Sequence, residues 1–177
     1  NAESHNHNDI GSCLMYFNGK PCLIDLGREE YVAKTFSSKR YEIWTMQSGY
    51  HNLPVINGTD QMQGEDFKAK NSSFIASAKS ATFTTEIAGA YPGGAKVKSW
   101  VRTYILNRGK NFVVSDKYEL NSVTNAVTSS NLITCCKVTQ VKPGLLKFEG
   151  DGFTLNMSYN ARVVTPEIEF IEVTDRS

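Results

Sequence analysis

A period of two runs through most of this chain. Phe153, Leu155, Met157 and Tyr159 alternate with Thr154, Asn156 and Ser158, and Trp100, Arg102, Tyr104 and Leu106 alternate with Val101, Thr103 and Ile105. Side chains fall on one face at every second residue only in a strand, so this pattern predicts sheets rather than helices. Turn pairs punctuate it at Asn18-Gly19, Asn57-Gly58, Arg108-Gly109-Lys110, Pro143-Gly144 and Asp151-Gly152, which is the chemistry of hairpins. Between the turns, Thr, Val, Ile, Tyr and Phe crowd segments 73–88, 97–107, 111–120, 126–141, 145–149, 153–160 and 167–174.

The first hairpin brings the expectation to at least nine strands, and their apolar faces are most simply buried by stacking two sheets. The predicted fold is an all-β, antiparallel β-sandwich. Residues 37–45 are the exception: Ser37 can cap and the apolar spacing is mixed, so either a helical turn or a loop fits. At 177 residues a single domain spanning 1–177 can bury a sizeable core, and no internal repeat or second boundary is visible. The first strand pair hardly alternates, running through Cys13, Leu14, Met15, Tyr16 and Phe17 and then Pro21, Cys22, Leu23 and Ile24. It reads either as a central core hairpin or as a hairpin with one face against a missing domain.

Nineteen Lys and Arg against eighteen Asp and Glu leave a formal charge of +1. No global field therefore draws the chain to nucleic acid or to an anionic membrane, and recognition of an acidic polymer has to be local. No apolar run approaches the roughly 20 residues of a membrane span. The start, Asn-Ala-Glu-Ser-His, lacks Met and brings candidate chemistry by the fifth residue. It reads as an imposed boundary or a cleavage point, with further protein expected upstream. Cys13 and Cys22 flank the Asn18-Gly19 turn as diagonal neighbours, where a disulfide is possible but strained. Cys135 and Cys136 are adjacent and would point to opposite faces of a strand. All four are expected to be buried small hydrophobes.

The three histidines, His5, His7 and His51, all lie in the first 51 residues. In an extended His5-Asn6-His7 both imidazoles point to one side, which suits two ligands, or one ligand and one substrate contact. Asp25 ends the second strand of the first hairpin, which can carry it back toward His7, and His51 can arrive from a returning loop. Two imidazoles and a carboxylate suit a divalent metal, Zn²⁺ foremost. The alternative is ordinary: hydrogen-bonded histidines and a turn-capping aspartate. Spacing alone does not choose between them.

The residues around these groups resemble the heparinase II/III-like polysaccharide lyases. They are Ser4-His5-Asn6-His7-Asn8-Asp9-Ile10-Gly11-Ser12, Gly19-Lys20-Pro21, Leu23-Ile24-Asp25-Leu26-Gly27 and Tyr50-His51-Asn52. In that family such a segment opens a β-sandwich that follows an α-helical toroid. The likeness is specific over 4–60 and looser beyond, where Trp100-Val101-Arg102 and Val114-Ser115-Asp116 also look familial. It implies metal ligation by His7, Asp25 and His51, with a mainly structural ion, and an active-site role for His5.

The family's reaction is β-elimination of a uronic-acid-containing polysaccharide, heparin, heparan sulfate or alginate among them. The resemblance implies that chemistry for the full-length parent, in a bacterial periplasm or outside the cell. The uronate carboxylate must be neutralised so that the C5 proton can leave, and an acid and a base must reach the reacting sugar. His5 is assigned to neutralisation or proton shuttling. Asn6 and Asn8 are its hydrogen-bonding neighbours, and Arg40 and Gln47 are candidate substrate contacts.

The family's catalytic Tyr and its partner belong to the toroid, so neither Tyr16 nor Tyr50 is taken in their place, and the chain alone is expected to bind metal without lyase activity. Ala90-Tyr91-Pro92-Gly93-Gly94 is read as a tight surface connection. Two rivals stand beside this reading. One is a cupin-like metal enzyme, weakened because no Glu lies near the His pair. The other is a non-catalytic carbohydrate-binding module stacking sugars on Trp44 and Trp100.

Overall fold

The computed structural model describes residues 5–28 and 30–173. Ser4 of the opening motif and Thr174 at the end of the last predicted strand lie outside them. Among the described residues eleven strands are formed: β1 (Met15–Phe17), β2 (Lys20–Leu23), β3 (Pro54–Val55), β4 (Lys70–Ala76), β5 (Ser80–Glu86), β6 (Val97–Asn107), β7 (Asn111–Leu120), β8 (Ser129–Ser130), β9 (Lys137–Lys142), β10 (Leu145–Gly150) and β11 (Phe153–Ser158). The chain is all-β, with antiparallel sheets that fit a β-sandwich. No helix among the described residues is long and apolar enough to cross a membrane.

Two compact units divide the chain. The first comprises residues 1–14 and 23–133 and holds a four-stranded sheet in the order β4-β5-β6-β7, together with the short β3–β8 ladder. Alternation on β6 buries Trp100, Arg102 and Tyr104. Trp100 joins Leu53, Ile56, Ile87, Ala90, Tyr91 and Ala95 in one apolar cluster, with Ile10, Ala88, Val97 and Leu120 packed against it. Each large apolar side chain fully buried there contributes roughly 1.5–3 kcal/mol.

Arg102 is the charged member of the buried row, 1% exposed. Register places it opposite Asp116 on β7, and its guanidinium donates to both carboxylate oxygens at 2.8 and 2.7 Å. A third donation, from Nη1, reaches the main-chain carbonyl of Asn52 at 2.7 Å. Burial disfavours the Arg102 cation, but the hydrogen bonds and charge of Asp116 outweigh it and hold its pKa above the usual value.

The second unit comprises residues 15–22 and 134–177. It holds the β1–β2 hairpin strands and a three-stranded sheet ordered β11-β10-β9. Leu146 and Phe148 are buried on β10 and face Met157 and Leu155 on β11. Asn18 and Gly19 both have positive φ, 49° and 77°, as a two-residue hairpin turn with the twist of its strands requires. A Cβ added at Gly19 would meet nothing within 4 Å, so Gly19→Ala is a test of backbone conformation alone. The expected cost is about 1–2 kcal/mol, read as a lowered urea midpoint.

Several expectations are corrected. Segment 73–88 is two strands, because Ser77 turns the chain: its main-chain N–H donates to Ser80 and its hydroxyl accepts from Lys79 and Ser80. Segment 126–141 forms strand only at β8 and β9, since Asn131 and Ile133 direct their hydrogen bonds to Gly49, Leu53 and Asn52 instead. Residues 167–173 form no strand; Ile168 and Phe170 are exposed, with no neighbouring strand to pair with. Residues 37–45 contain 3-10 turns at Arg40–Glu42 and Trp44–Met46.

The first hairpin is not a central one, as Leu14, Tyr16 and Phe17 are exposed. Nor is the Ala90-Tyr91 segment superficial: both residues are in the core, and the Tyr91 hydroxyl donates to the Pro54 carbonyl at 2.6 Å. Among the cysteines, Cys22 and Cys136 are buried, whereas Cys13 is half-buried and Cys135 exposed, so the expectation of four buried thiols fails for two.

Candidate metal centre

His7, Asp25 and His51 each offer one ligand atom, and these atoms lie within 4.8 Å of one another. All three belong to the first unit. The imidazole centroids of His7 and His51 are 5.3 Å apart, and Asp25 Oδ2 lies 2.9 Å from His51 Nδ1.

Each member is aimed by main-chain hydrogen bonds on its flanks. His51 caps the 3-10 turn Ser48–Tyr50, its N–H donating to Ser48. Asp25 is turned by Gly27, whose N–H donates to Oδ1 at 2.6 Å; Gly27 has φ 71°, a conformation that glycine adopts readily. His7 is held by its neighbours. The Asn8 N–H donates to Met46 O at 2.9 Å, and Arg40 Nε donates to Asn6 O at 3.1 Å.

Asn52 draws the three segments together. Its side-chain Nδ2 donates to Cys13 O at 2.7 Å and Ile24 O at 3.0 Å. Its Oδ1 accepts from the Ile133 N–H at 2.7 Å, and its own N–H donates to Ser12 Oγ at 3.3 Å. The strand end before Asp25, the segment after His7 and the loop carrying His51 thus meet on one buried amide.

The donor set suits a cation. The His51 side chain is fully buried, and neither ring nitrogen has a hydrogen-bond partner. Nδ1 and Asp25 Oδ2, 2.9 Å apart, are close enough to ligate one ion together. A buried polar atom left unpartnered costs about 1–3 kcal/mol, which coordination would remove. Burial, and then the charge of His51, lowers the His7 pKa and favours its ligating neutral form. Asp25 is held below the usual carboxylate range, first by its contact with His51, then by the Gly27 N–H and the imidazole charges, against the opposing effect of burial.

His5 does not join this cluster. It is exposed, with Tyr31 and Phe36 edge-on at 6.1 and 6.2 Å. Those two rings stack on each other at 5.3 Å, and the Arg28 guanidinium lies 4.1 Å over Tyr31. This aromatic and cationic surface escaped the sequence reading. The one available signal was the spacing of Arg28, Tyr31 and Phe36, with nothing local to tie it to His5.

The predicted substrate contacts are placed unevenly. Arg40 is buried and holds Asn6 O and Thr35 O, and Asn8 is buried with its amide on Gln61 O at 3.2 Å. Gln47 is half-buried and donates to Tyr41 O. Arg40 and Asn8 therefore sit as braces of the His7 segment. Arg40→Ala is expected to lower stability by about 2–3 kcal/mol, measured by urea unfolding, because it strips one buried and one half-buried carbonyl of their donor. Trp100, offered earlier as a sugar platform, is 3% exposed and stacked on Tyr118.

Fold and cluster together define an all-β sandwich-class domain with a two-imidazole, one-carboxylate candidate cation site. A family model described as heparinase II/III-like, C-terminal, matches residues 1–161. The chain belongs to that family, a family of polysaccharide lyases. This displaces the cupin alternative. A comparison with curated proteins found no match.

Proposed function

We propose that this chain is the metal-binding domain of a lyase that cleaves a uronic-acid-containing polysaccharide by β-elimination, with His7, Asp25 and His51 holding one divalent cation, Zn²⁺ foremost. The observation that carries the metal reading is the convergence of three ligand atoms around a fully buried imidazole without hydrogen-bond partners. Bound there, the ion would supply positive charge and a cross-link among three chain segments distant in sequence.

His5 is the substrate-facing group in this reading. Its exposure, and the rings and guanidinium beside it, suit an anionic sugar: the aromatic faces offer apolar contact, and His5 and Arg28 offer hydrogen bonds to a carboxylate. Neutralising that carboxylate makes the C5 proton easier to remove, and His5 can also move a proton. The catalytic Tyr and its partner come, on this reading, from an N-terminal toroid domain of the same protein. A periplasmic or secreted location follows from a polymeric substrate.

Calorimetric titration of the metal-stripped chain with Zn²⁺ tests the metal assignment. One equivalent should bind, and at a free concentration about a hundredfold above Kd it should stabilise the fold by about 2.7 kcal/mol. His51→Ala should abolish both effects. Zn²⁺ binding that persists in His51→Ala would refute the site. In the toroid-bearing protein, His5→Ala should lower kcat/KM by about 10²–10⁴ with the metal content unchanged. Unchanged kcat/KM would remove His5 from the mechanism.

A further inference from the structure

Three of the four cysteines, Cys22, Cys135 and Cys136, belong to the second unit. The segment 134–136 is laced to the end of β2. Thr134 Oγ1 donates to Cys22 O at 2.6 Å and accepts from the Cys136 N–H at 3.0 Å. Next to it, Cys135 Sγ donates to Pro21 O at 3.4 Å. Cys22 and Cys136 are 1% and 8% exposed, and Cys135 is open to solvent. Cys135 and Cys136 lie at a bend rather than within a strand, so the expected opposition of their side chains across a sheet does not apply.

We propose that Cys22 and Cys136 are a dithiol pair that a low-molecular-weight disulfide converts to an internal disulfide, with Cys135 as the entry thiol. Three observations point the same way. The two chain segments are fixed against each other by side-chain hydrogen bonds through Thr134, which bonds to main-chain atoms of both Cys22 and Cys136. The Cys136 thiol is also the side chain acting on that of Cys22, whose pKa is pushed up to about 12, by burial first and then by Cys136. Finally, the three thiols are not a metal site: among the described residues only His7, Asp25 and His51 converge closely enough to hold an ion.

Burial and the neighbouring Cys136 hold the Cys135 thiol above its usual range as well, so its role rests on access: of the three, it is the one open to a disulfide in solution. The Cys135 thiolate attacks one sulfur of RSSR, forming Cys135–S–S–R and releasing one RSH after proton uptake. Cys136 attacks the Cys135 sulfur and releases the second RSH. Cys22 then attacks the Cys136 sulfur, leaving the Cys22–Cys136 bond and returning Cys135 as a thiol. Two S–H bonds are lost, one S–S bond is gained, and RSSR is reduced to two RSH.

The test is to incubate the reduced chain with oxidised glutathione, alkylate the remaining thiols and map the peptides under non-reducing conditions, with fragmentation that separates Cys13 from Cys22. Two of four thiols should be consumed and Cys22 linked to Cys136, with a thermal midpoint several degrees above the reduced form. Cys135→Ser should yield the same bond at a rate lowered by at least about tenfold. Cys22→Ser and Cys136→Ser should not form it. Four thiols still free, glutathione remaining on Cys135, or a bond between Cys135 and Cys136 would each overturn the proposal. That outcome is read on the unsubstituted chain and so does not depend on any variant folding.

Discussion

Replacing Asn52 by alanine is expected to destabilise the first unit by about 3–5 kcal/mol. The residue is 2% exposed. Its loss leaves the Cys13 and Ile24 carbonyls without a donor and the Ile133 N–H without an acceptor. Each of these is a buried or half-buried main-chain group with little access to water. Asn52→Asp should be nearly as damaging, since it keeps an acceptor for Ile133 and removes both donors. Urea unfolding at constant m-value gives the stability, and Zn²⁺ titration of the same proteins gives the affinity, which should fall because the segments bearing His7, Asp25 and His51 are no longer tied. A stability change below about 1 kcal/mol would show that the amide is not the junction described.

The second large effect is expected at Arg102. Changing it to methionine conserves much of its volume but leaves the Asp116 carboxylate and the Asn52 carbonyl without their partner. Breaking a buried pair from one side costs about 3–5 kcal/mol. Adding Asp116→Leu should recover part of the loss, because the isolated charge rather than the missing attraction dominates that figure. Arg102→Lys should not rescue, as one ammonium cannot make two parallel bonds to a carboxylate and a third to Asn52. Arg102 donates to the main-chain carbonyl of Asn52, which Asn52→Ala retains, so any shortfall of the double variant Asn52→Ala/Arg102→Met from the two single losses added measures coupling through the placement of that carbonyl. Strict additivity in urea unfolding would show that the two sites are independent.

These two residues explain how far the sequence could be read. The β6 and β7 strands were legible in place and approximate extent, because alternation over ten or more positions is long enough to set both type and length. Short or broken strands were not: β8 is two residues long, and its neighbours are committed to Asn52 and Gly49 rather than to a ladder. Residues 167–173 carried the right composition for a strand and lacked a partner, which composition does not report. The first hairpin, apolar on both sides, left a central position and a face toward a missing domain both open, and the exposed Tyr16 and Phe17 rule out the central position.

The candidate site divides along the same line. His5, His7, Asp25 and His51 could be named as candidates from residue chemistry and from resemblance to a family, because ligand types and short motifs are local properties. Their separation into a buried three-member cluster and an exposed histidine beside Tyr31, Phe36 and Arg28 arises from contacts between segments. The placement of Arg40 and Asn8 as braces has the same origin.

Alternation, turn pairs and three histidines in the first third of the chain were enough to establish an all-β fold and the kinds of groups available for chemistry, since strand period and donor type belong to individual residues. Which groups meet was settled by folding: a buried amide at Asn52 and an ion pair across β6 and β7 join segments dozens of residues apart. Such pairings depend on distance in space, which the linear order of residues does not encode locally.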